Sequence, residues 1–83
     1  MEGMEKRLGH RIRELRKERR MSQTELAEKA GVALMTISRL ERGEHDPHMK
    51  TLARIARSLG VPLLELIRSA GYSENDEKAG TQG

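Results

Sequence analysis

The chain has no cysteine, tryptophan or phenylalanine, and Tyr72 is its one aromatic residue. Without cysteine it can form no disulfide, no thiolate zinc site and no thiol nucleophile. No apolar run approaches the ~18–20 residues that a membrane span needs, and no signal-peptide pattern opens the chain. Small secreted domains normally depend on disulfides, so these absences predict a soluble, cytoplasmic protein with no membrane partner.

Length and charge narrow the class of protein further. The chain has 83 residues, which allows one domain with a small core. Its net charge of +3 is unevenly distributed, because residues 1–21 hold eight Lys/Arg against four Asp/Glu, whereas residues 71–83 hold one against three. A basic N-terminal region is typical of a protein that binds a polyanionic partner. On charge alone, a charged surface that only keeps a small domain in solution is an equal alternative.

Glycine and proline residues divide the chain into segments with helical periodicity. Leu8, Ile12 and Leu15 recur on one face of a first helix, and similar apolar spacing marks the later segments. The predicted helices are residues 5–19, Gln23–Ala30, Leu34–Arg42, 49–59 and Leu63–Ser69. No strand pattern competes with them, so the predicted fold class is all-α with five short helices.

These segments predict one domain over residues 5–70. Residues 1–4 are predicted to be a flexible N-terminus. Residues 71–83 have almost no apolar side chains and are predicted to be a disordered, polar and acidic tail. Met21 and Met49 stand at helix junctions, where we expect the flexible thioether side chain to fill the core.

The second and third helices have the lengths that are typical of a helix-turn-helix, and a glycine follows each of them. Ser22 and Glu25 have the spacing of a capping box, and Gly31 can end the second helix because glycine adopts the left-handed conformation without strain. At about 100° per residue, Ile37 and Leu40 lie on the core side of the third helix. The pattern therefore predicts an amphipathic third helix that is braced by the second.

The opposite face of the third helix carries mixed chemistry. Met35, Ser38, Arg39 and Arg42 lie on it, and Leu34 stands at its border. In a helix-turn-helix, one face of the second helix of the motif enters a DNA groove while the other face packs on the domain. This outward face is therefore the candidate recognition surface.

The sequence resembles the lambda-repressor-like (Cro/repressor, or XRE) helix-turn-helix family. The resemblance is carried by SQTELAEKAGV at residues 22–32 and TISRLERG at residues 36–43. It extends back through IRELR at residues 12–16 and forward from Thr51 to Leu66, and so covers about residues 8–70. It implies a prokaryotic or phage transcription regulator, associated with the nucleoid, that represses by binding double-stranded operator DNA as a two-fold homodimer.

The resemblance also implies roles for individual residues. Those that match the positions facing the bases are Leu34, Met35, Ser38 and Arg39. Those that match phosphate contacts are Gln23, Arg42 and Lys50. Arg39 can bind guanine O6 and N7 with two hydrogen bonds, and Ser38 can donate to a base or to a phosphate.

Leu34 and Met35 depart from the family pattern, in which polar residues are commoner at these two positions. An apolar side chain can touch a thymine methyl group but cannot hydrogen-bond to a base edge. One interpretation is that the operator is recognised partly through thymines and DNA shape. The alternative is that this face binds a protein, as it would in an antitoxin or adaptor that keeps the scaffold.

A structural ion pair is implied between Arg16 in the first helix and Glu41 in the third. Glu41 lies beside the core side of its helix, so the pair is expected to be partly buried. Loss of one partner is then expected to cost more stability than loss of both, because a lone desolvated charge remains.

Two other features of the sequence, its histidines and its scattered carboxylates, do not indicate a metal site or an active site. His45 and His48 lie in a polar loop with too few firm ligands for a metal, so no metal and no cofactor are predicted. The chain has no Gly-rich phosphate loop, and five short helices leave little volume for a substrate, so neither an enzyme nor a small-molecule ligand is predicted.

The fifth helix carries a candidate dimer contact. Leu63, Leu64, Leu66 and Ile67 span most of its circumference and cannot all point inward. Leu64 is expected to be exposed. The family often dimerises through this region, so a self-complementary contact that includes Leu64 is predicted, with a lone exposed leucine as the alternative.

Overall fold

A computed structural model describes residues 3–71 of the chain. Within this range the backbone forms five helices and no strand, so the all-α prediction is confirmed. The helices are α1 (Met4–Glu18), α2 (Gln23–Ala30), α3 (Leu34–Glu41), α4 (Met49–Leu59) and α5 (Leu63–Ser69). The parts of the predicted end segments at residues 1–2 and 72–83 lie outside the described residues.

Three helix boundaries differ from the predicted ones. Met4, which the sequence pattern assigns to a flexible N-terminus, is the first residue of α1, and the extended Gly3 is its N-cap. Glu5 stabilises this start because a carboxylate in the first turn faces the positive end of the helix dipole. At the other two boundaries, α1 ends at Glu18 with Arg19 as its C-cap, and α3 ends at Glu41 with Arg42 as its C-cap.

Every helix contributes to a single aliphatic core. Its fully buried large side chains are Ile12, Leu26, Ile37, Leu40, Ile55, Leu59 and Leu66. Met21 packs against this core at the α1–α2 junction, as expected. The expectation for Met49 is wrong, since its residue surface is 58% exposed. Met49 begins α4, where it borders an apolar groove instead of entering the interior.

A close approach of α1 to the end of α3 depends on Gly9. A methyl group at Gly9 would overlap the carbonyl oxygen of Leu40. Gly43, which has a φ of +74°, also lies close to α1, since a methyl group there would come within 2.6 Å of Lys6 Cγ and 2.9 Å of Lys6 Cα. The two glycines thus let α1 lie directly against the C-terminal end of α3, and this contact sets the orientation of the candidate recognition helix.

Candidate nucleic-acid interface

Helix α2 has defined ends that position the start of α3. The Ser22 hydroxyl accepts a hydrogen bond from the Glu25 amide at 3.0 Å, and the Glu25 carboxylate accepts one from the Ser22 amide at 2.9 Å. The predicted capping box is therefore confirmed. The hydrogen bond that the Glu25 carboxylate accepts from the Ser22 amide, and second the Ser22 hydroxyl, lower the pKa of Glu25. Gly31 ends α2 with a φ of +69°, which turns the chain toward α3.

Helix α3 has the two faces that its sequence predicts. Ile37 and Leu40 are buried in the core. On the opposite face, Leu34 is 47% and Met35 is 55% exposed, and Arg39 is also exposed. The structure thus brings apolar surface and a cation together on the outward side of α3.

Ser38 lies on the same outward face. It is half-buried and therefore less accessible than Met35 and Arg39, which are exposed. Arg42 is exposed at the end of the helix and Lys50 is exposed in the first turn of α4. Gln23, the fourth remaining predicted contact residue, is half-buried at the start of α2, so all four reach the surface, although each in a different setting.

Arg42 has a partner that the sequence did not indicate. Its guanidinium Nε lies 3.0 Å from Glu44 Oε2, and both side chains are more than half exposed. The hydrogen bond from Arg42 lowers the pKa of Glu44. Exposed ion pairs of this kind contribute little stability, so a phosphate could replace the carboxylate at small cost.

The structure joins Arg16 and Glu41 through two parallel hydrogen bonds. Arg16 Nε lies 2.6 Å from Glu41 Oε2, and Arg16 Nη2 lies 2.9 Å from Glu41 Oε1. The side chains are 10% and 3% exposed. Arg16 Nη1 also donates to the Met21 carbonyl at 2.8 Å, so the guanidinium ties α1, the α1–α2 junction and α3 together. The hydrogen bond with Glu41 raises the pKa of Arg16.

Hydrogen bonds connect this ion pair to the outward face of α3. Gln23 Nε2 donates to Glu41 Oε1 at 3.0 Å, and the Ser38 hydroxyl donates to Gln23 Oε1 at 3.0 Å. We call these four side chains (Arg16, Glu41, Gln23 and Ser38) the polar bridge. Sequence reasoning placed Gln23 and Ser38 at separate DNA contacts and missed their connection. The available signal was the position of Glu41 beside the core edge of α3.

The C-terminal helix exposes Leu64, as predicted, at 54%, while Leu66 is fully buried. An apolar groove of about 360 Å³ lies between the starts of α1 and α4 and the end of α5. Met4, Met49 and Ile67 are among its lining residues. The domain therefore presents apolar surface at this groove in addition to the exposed Leu64.

The histidine-containing loop forms no metal site in the described part of the chain. His45 and His48 are exposed, and residues 3–71 contain no cluster of three potential metal ligands. None of the described helices is both long and apolar enough to cross a membrane.

The sequence of the helical region decides the family. The helix-turn-helix family model HTH_3 matches residues 12–66, from α1 into α5. The chain belongs to the helix-turn-helix family. The matched range contains the whole of α2, α3 and α4 together with the polar bridge, and the resemblance drawn from the sequence is confirmed.

Named relatives of this helix-turn-helix protein include two repressors. It is 32% identical over 79 residues to the immunity repressor protein of Bacillus phage phi105, an alignment covering 86% of this chain and 55% of the repressor. It is 38% identical over 68 residues to the cryptic phage CTXphi transcriptional repressor RstR of Vibrio cholerae, covering 82% of this chain and 60% of RstR. The chain thus spans less than two thirds of either repressor.

A solved structure shares the fold. The master regulator for biofilm formation SinR, crystallised in complex with DNA, superposes with a TM-score of 0.70 at 39% identity. The match covers 72% of this chain and 97% of the SinR chain.

Proposed function

We propose that this protein is a sequence-specific transcriptional repressor that binds double-stranded operator DNA. The observation that carries this function is the outward face of α3, which exposes Leu34, Met35 and Arg39 while its core side is fully buried. The named phage repressors and the DNA complex of SinR support a regulator over the antitoxin or adaptor alternative.

In this proposal, α3 enters the major groove. Arg39 binds a guanine through O6 and N7, because a guanidinium matches these two acceptors. Leu34 and Met35 contact thymine methyl groups, the one base feature in the groove that an apolar side chain can recognise. Recognition then combines one strong polar contact with apolar contacts and the shape of the duplex.

Contacts to phosphates position the domain without specifying sequence. Gln23 begins α2, where free backbone N–H groups favour an anion. Its amide nitrogen carries two hydrogens, and Glu41 accepts one of them, which leaves the second for a phosphate. Arg42 and Lys50 supply cations on either side of α3, with Arg42 exchanging Glu44 for a phosphate.

We propose that the protein acts as a homodimer through α5, including Leu64, on the nucleoid in the cytoplasm. A two-fold dimer would place its two α3 helices on half-sites about 34–36 Å apart. The exposed Leu64 supports this contact, because a two-fold axis near it would bury Leu64 of both protomers.

Selection of bound sites from random duplexes, at a stated salt concentration, tests the function. We expect an enriched two-fold symmetric sequence with half-sites spaced by one helical turn. The control is Arg57→Ala, which removes an exposed arginine that lies with Lys29 and Ala30 at the opposite end of α2 from Gln23. The control should enrich the same sequence, whereas Arg39→Ala should lose the guanine at one position in each half-site.

The adaptor alternative predicts a different outcome of the same selection. The wild-type protein would then enrich no sequence, and duplex DNA would bind equally well whatever its composition. Changes to serine at Leu34 and Met35 would abolish capture of a partner protein instead.

A further inference from the structure

The polar bridge fixes the orientation of the Gln23 amide. A carboxylate only accepts hydrogen bonds, so the Gln23 atom that lies 3.0 Å from Glu41 Oε1 must be the amide nitrogen Nε2. Glu41 is itself held by two bonds from Arg16, and its side chain is 3% exposed. If the amide turned over, its oxygen would face a carboxylate oxygen in a site nearly closed to water. The observed orientation is therefore the only one that satisfies both groups.

The orientation of the amide determines what the Ser38 hydroxyl does. With Nε2 on Glu41, the carbonyl oxygen Oε1 of Gln23 lies 3.0 Å from Ser38 Oγ. A carbonyl oxygen cannot donate, so Ser38 commits its single hydroxyl hydrogen to Gln23. The hydroxyl then has only lone pairs to offer to any group that approaches the outward face of α3.

We propose that Ser38 is a specificity-determining acceptor, which the polar bridge restricts to bases that present an amino group in the major groove. This inference rests on the proposed DNA-binding function. The two groove amino groups are N4 of cytosine and N6 of adenine, whereas guanine O6 and N7 and thymine O4 are acceptors. Phosphate oxygens are acceptors as well. Of the two roles that the sequence leaves open for Ser38, donation to a base and donation to a phosphate, the bridge removes both.

Through the polar bridge, specificity at the base that Ser38 contacts also depends on Gln23, which need not touch that base. Without the Gln23 side chain, the Ser38 hydroxyl could rotate and either donate or accept a hydrogen bond. It would then no longer distinguish a base with an amino group from a base that presents acceptors. Gln23 is thus a positioning residue for Ser38 in addition to its proposed phosphate contact.

Base analogues in the selected operator test the inference. Replacing adenine by 2-aminopurine removes the amino group from the major groove while pairing with thymine is kept. Replacing cytosine by 2-pyrimidinone removes the N4 amino group. At one position in each half-site, we expect one of these analogues to weaken wild-type binding about three- to tenfold, the value of a single hydrogen bond. Ser38→Ala should bind natural and substituted duplexes equally at that position.

The matched control is Ser58→Ala, since Ser58 donates to the Arg54 carbonyl on α4 and lies outside the polar bridge. The control should respond to the analogues as the wild type does. Two results would overturn the inference. Ser38→Ala could keep full analogue sensitivity at every position, or the position that it affects could respond to 7-deazaguanine, which lacks the N7 acceptor.

Gln23→Ala tests the bridge itself, with melting curves to confirm that the variant is folded. For each variant, the affinity for the natural duplex is divided by the affinity for the substituted duplex. A lost phosphate contact weakens both affinities equally and therefore does not change this ratio. We expect the preference for the natural amino base to fall toward that of Ser38→Ala, and an unchanged preference would overturn the role of Gln23. If the wild type enriches no sequence at all, the proposed function fails; an enriched sequence without a Ser38 effect contradicts this inference alone.

Discussion

Arg16 and Glu41 connect α1 to α3 through two hydrogen bonds of 2.6 and 2.9 Å. The pair lies almost out of contact with water, with side chains 10% and 3% exposed. Its strength therefore depends on both partners being present, because desolvation of a lone charge in this position is not compensated.

Removing one partner should destabilise the fold more than removing both. We expect Arg16→Met and Glu41→Leu each to lower the free energy of unfolding by about 3 kcal/mol, and the double variant to lose less than either single variant. Urea unfolding of the four proteins gives the coupling energy. Strictly additive losses would show that the two residues do not act as a pair.

Gly9→Ala should destabilise the protein, although alanine is normally the better helix former by about 1 kcal/mol. The added methyl group would overlap the Leu40 carbonyl oxygen, so α1 must shift away from α3. We expect a loss of about 1–3 kcal/mol in thermal or urea unfolding. Gly3→Ala is the control, because a methyl group there meets only Glu5 Oε1 at 3.8 Å. A gain in stability for Gly9→Ala would contradict the close approach.

The capping box makes the start of α2 sensitive to acid. The hydrogen bonds to Ser22 lower the pKa of Glu25 in the folded state, so its carboxylate stabilises the fold fully above the unfolded-state value of about 4.3. The contribution is lost as the pH falls through the lower folded-state pKa. As the pH falls below about 4.3, Tm should therefore fall less steeply for Glu25→Gln than for the wild type. Glu28→Gln, on the same helix but outside the capping box, should follow the wild-type curve.

Leu64→Lys should disrupt the proposed dimer. The substitution would place two like charges about the two-fold axis and remove two buried leucines, so we expect the dimer dissociation constant to rise at least about tenfold. Sedimentation equilibrium measures this directly. Met35→Ser removes an apolar side chain of similar exposure from α3 and should leave the association unchanged. A monomeric wild type at all concentrations would reject the α5 contact.

The helices and the two faces of α3 could be predicted because they depend on local periodicity. Ile37 and Leu40 are buried and Met35 and Leu64 are exposed, as their positions on the helix indicate. Periodicity could not place Met49, since burial at a helix end depends on which neighbouring element covers it.

Features that depend on distances between helices could not be predicted from local periodicity. Gly9 looks like any glycine inside a helix until α1 lies against Leu40. The sequence pairs Arg16 with Glu41, but the extension of this pair through Gln23 to Ser38 requires the relative rotation of α2 and α3. Hydrogen-bond geometry at this level is a tertiary property.

Binding of the selected operator and of a scrambled duplex, titrated over a range of salt, tests the central claim most directly. The claim is that the outward face of α3 recognises DNA sequence through Arg39. We expect Arg39→Ala to lose about 1–3 kcal/mol of affinity for the operator, with binding to the scrambled duplex and the salt dependence nearly unchanged. Lys50→Ala should weaken both duplexes alike and reduce the salt slope by about one. Equal operator affinity for wild type and Arg39→Ala would contradict the account.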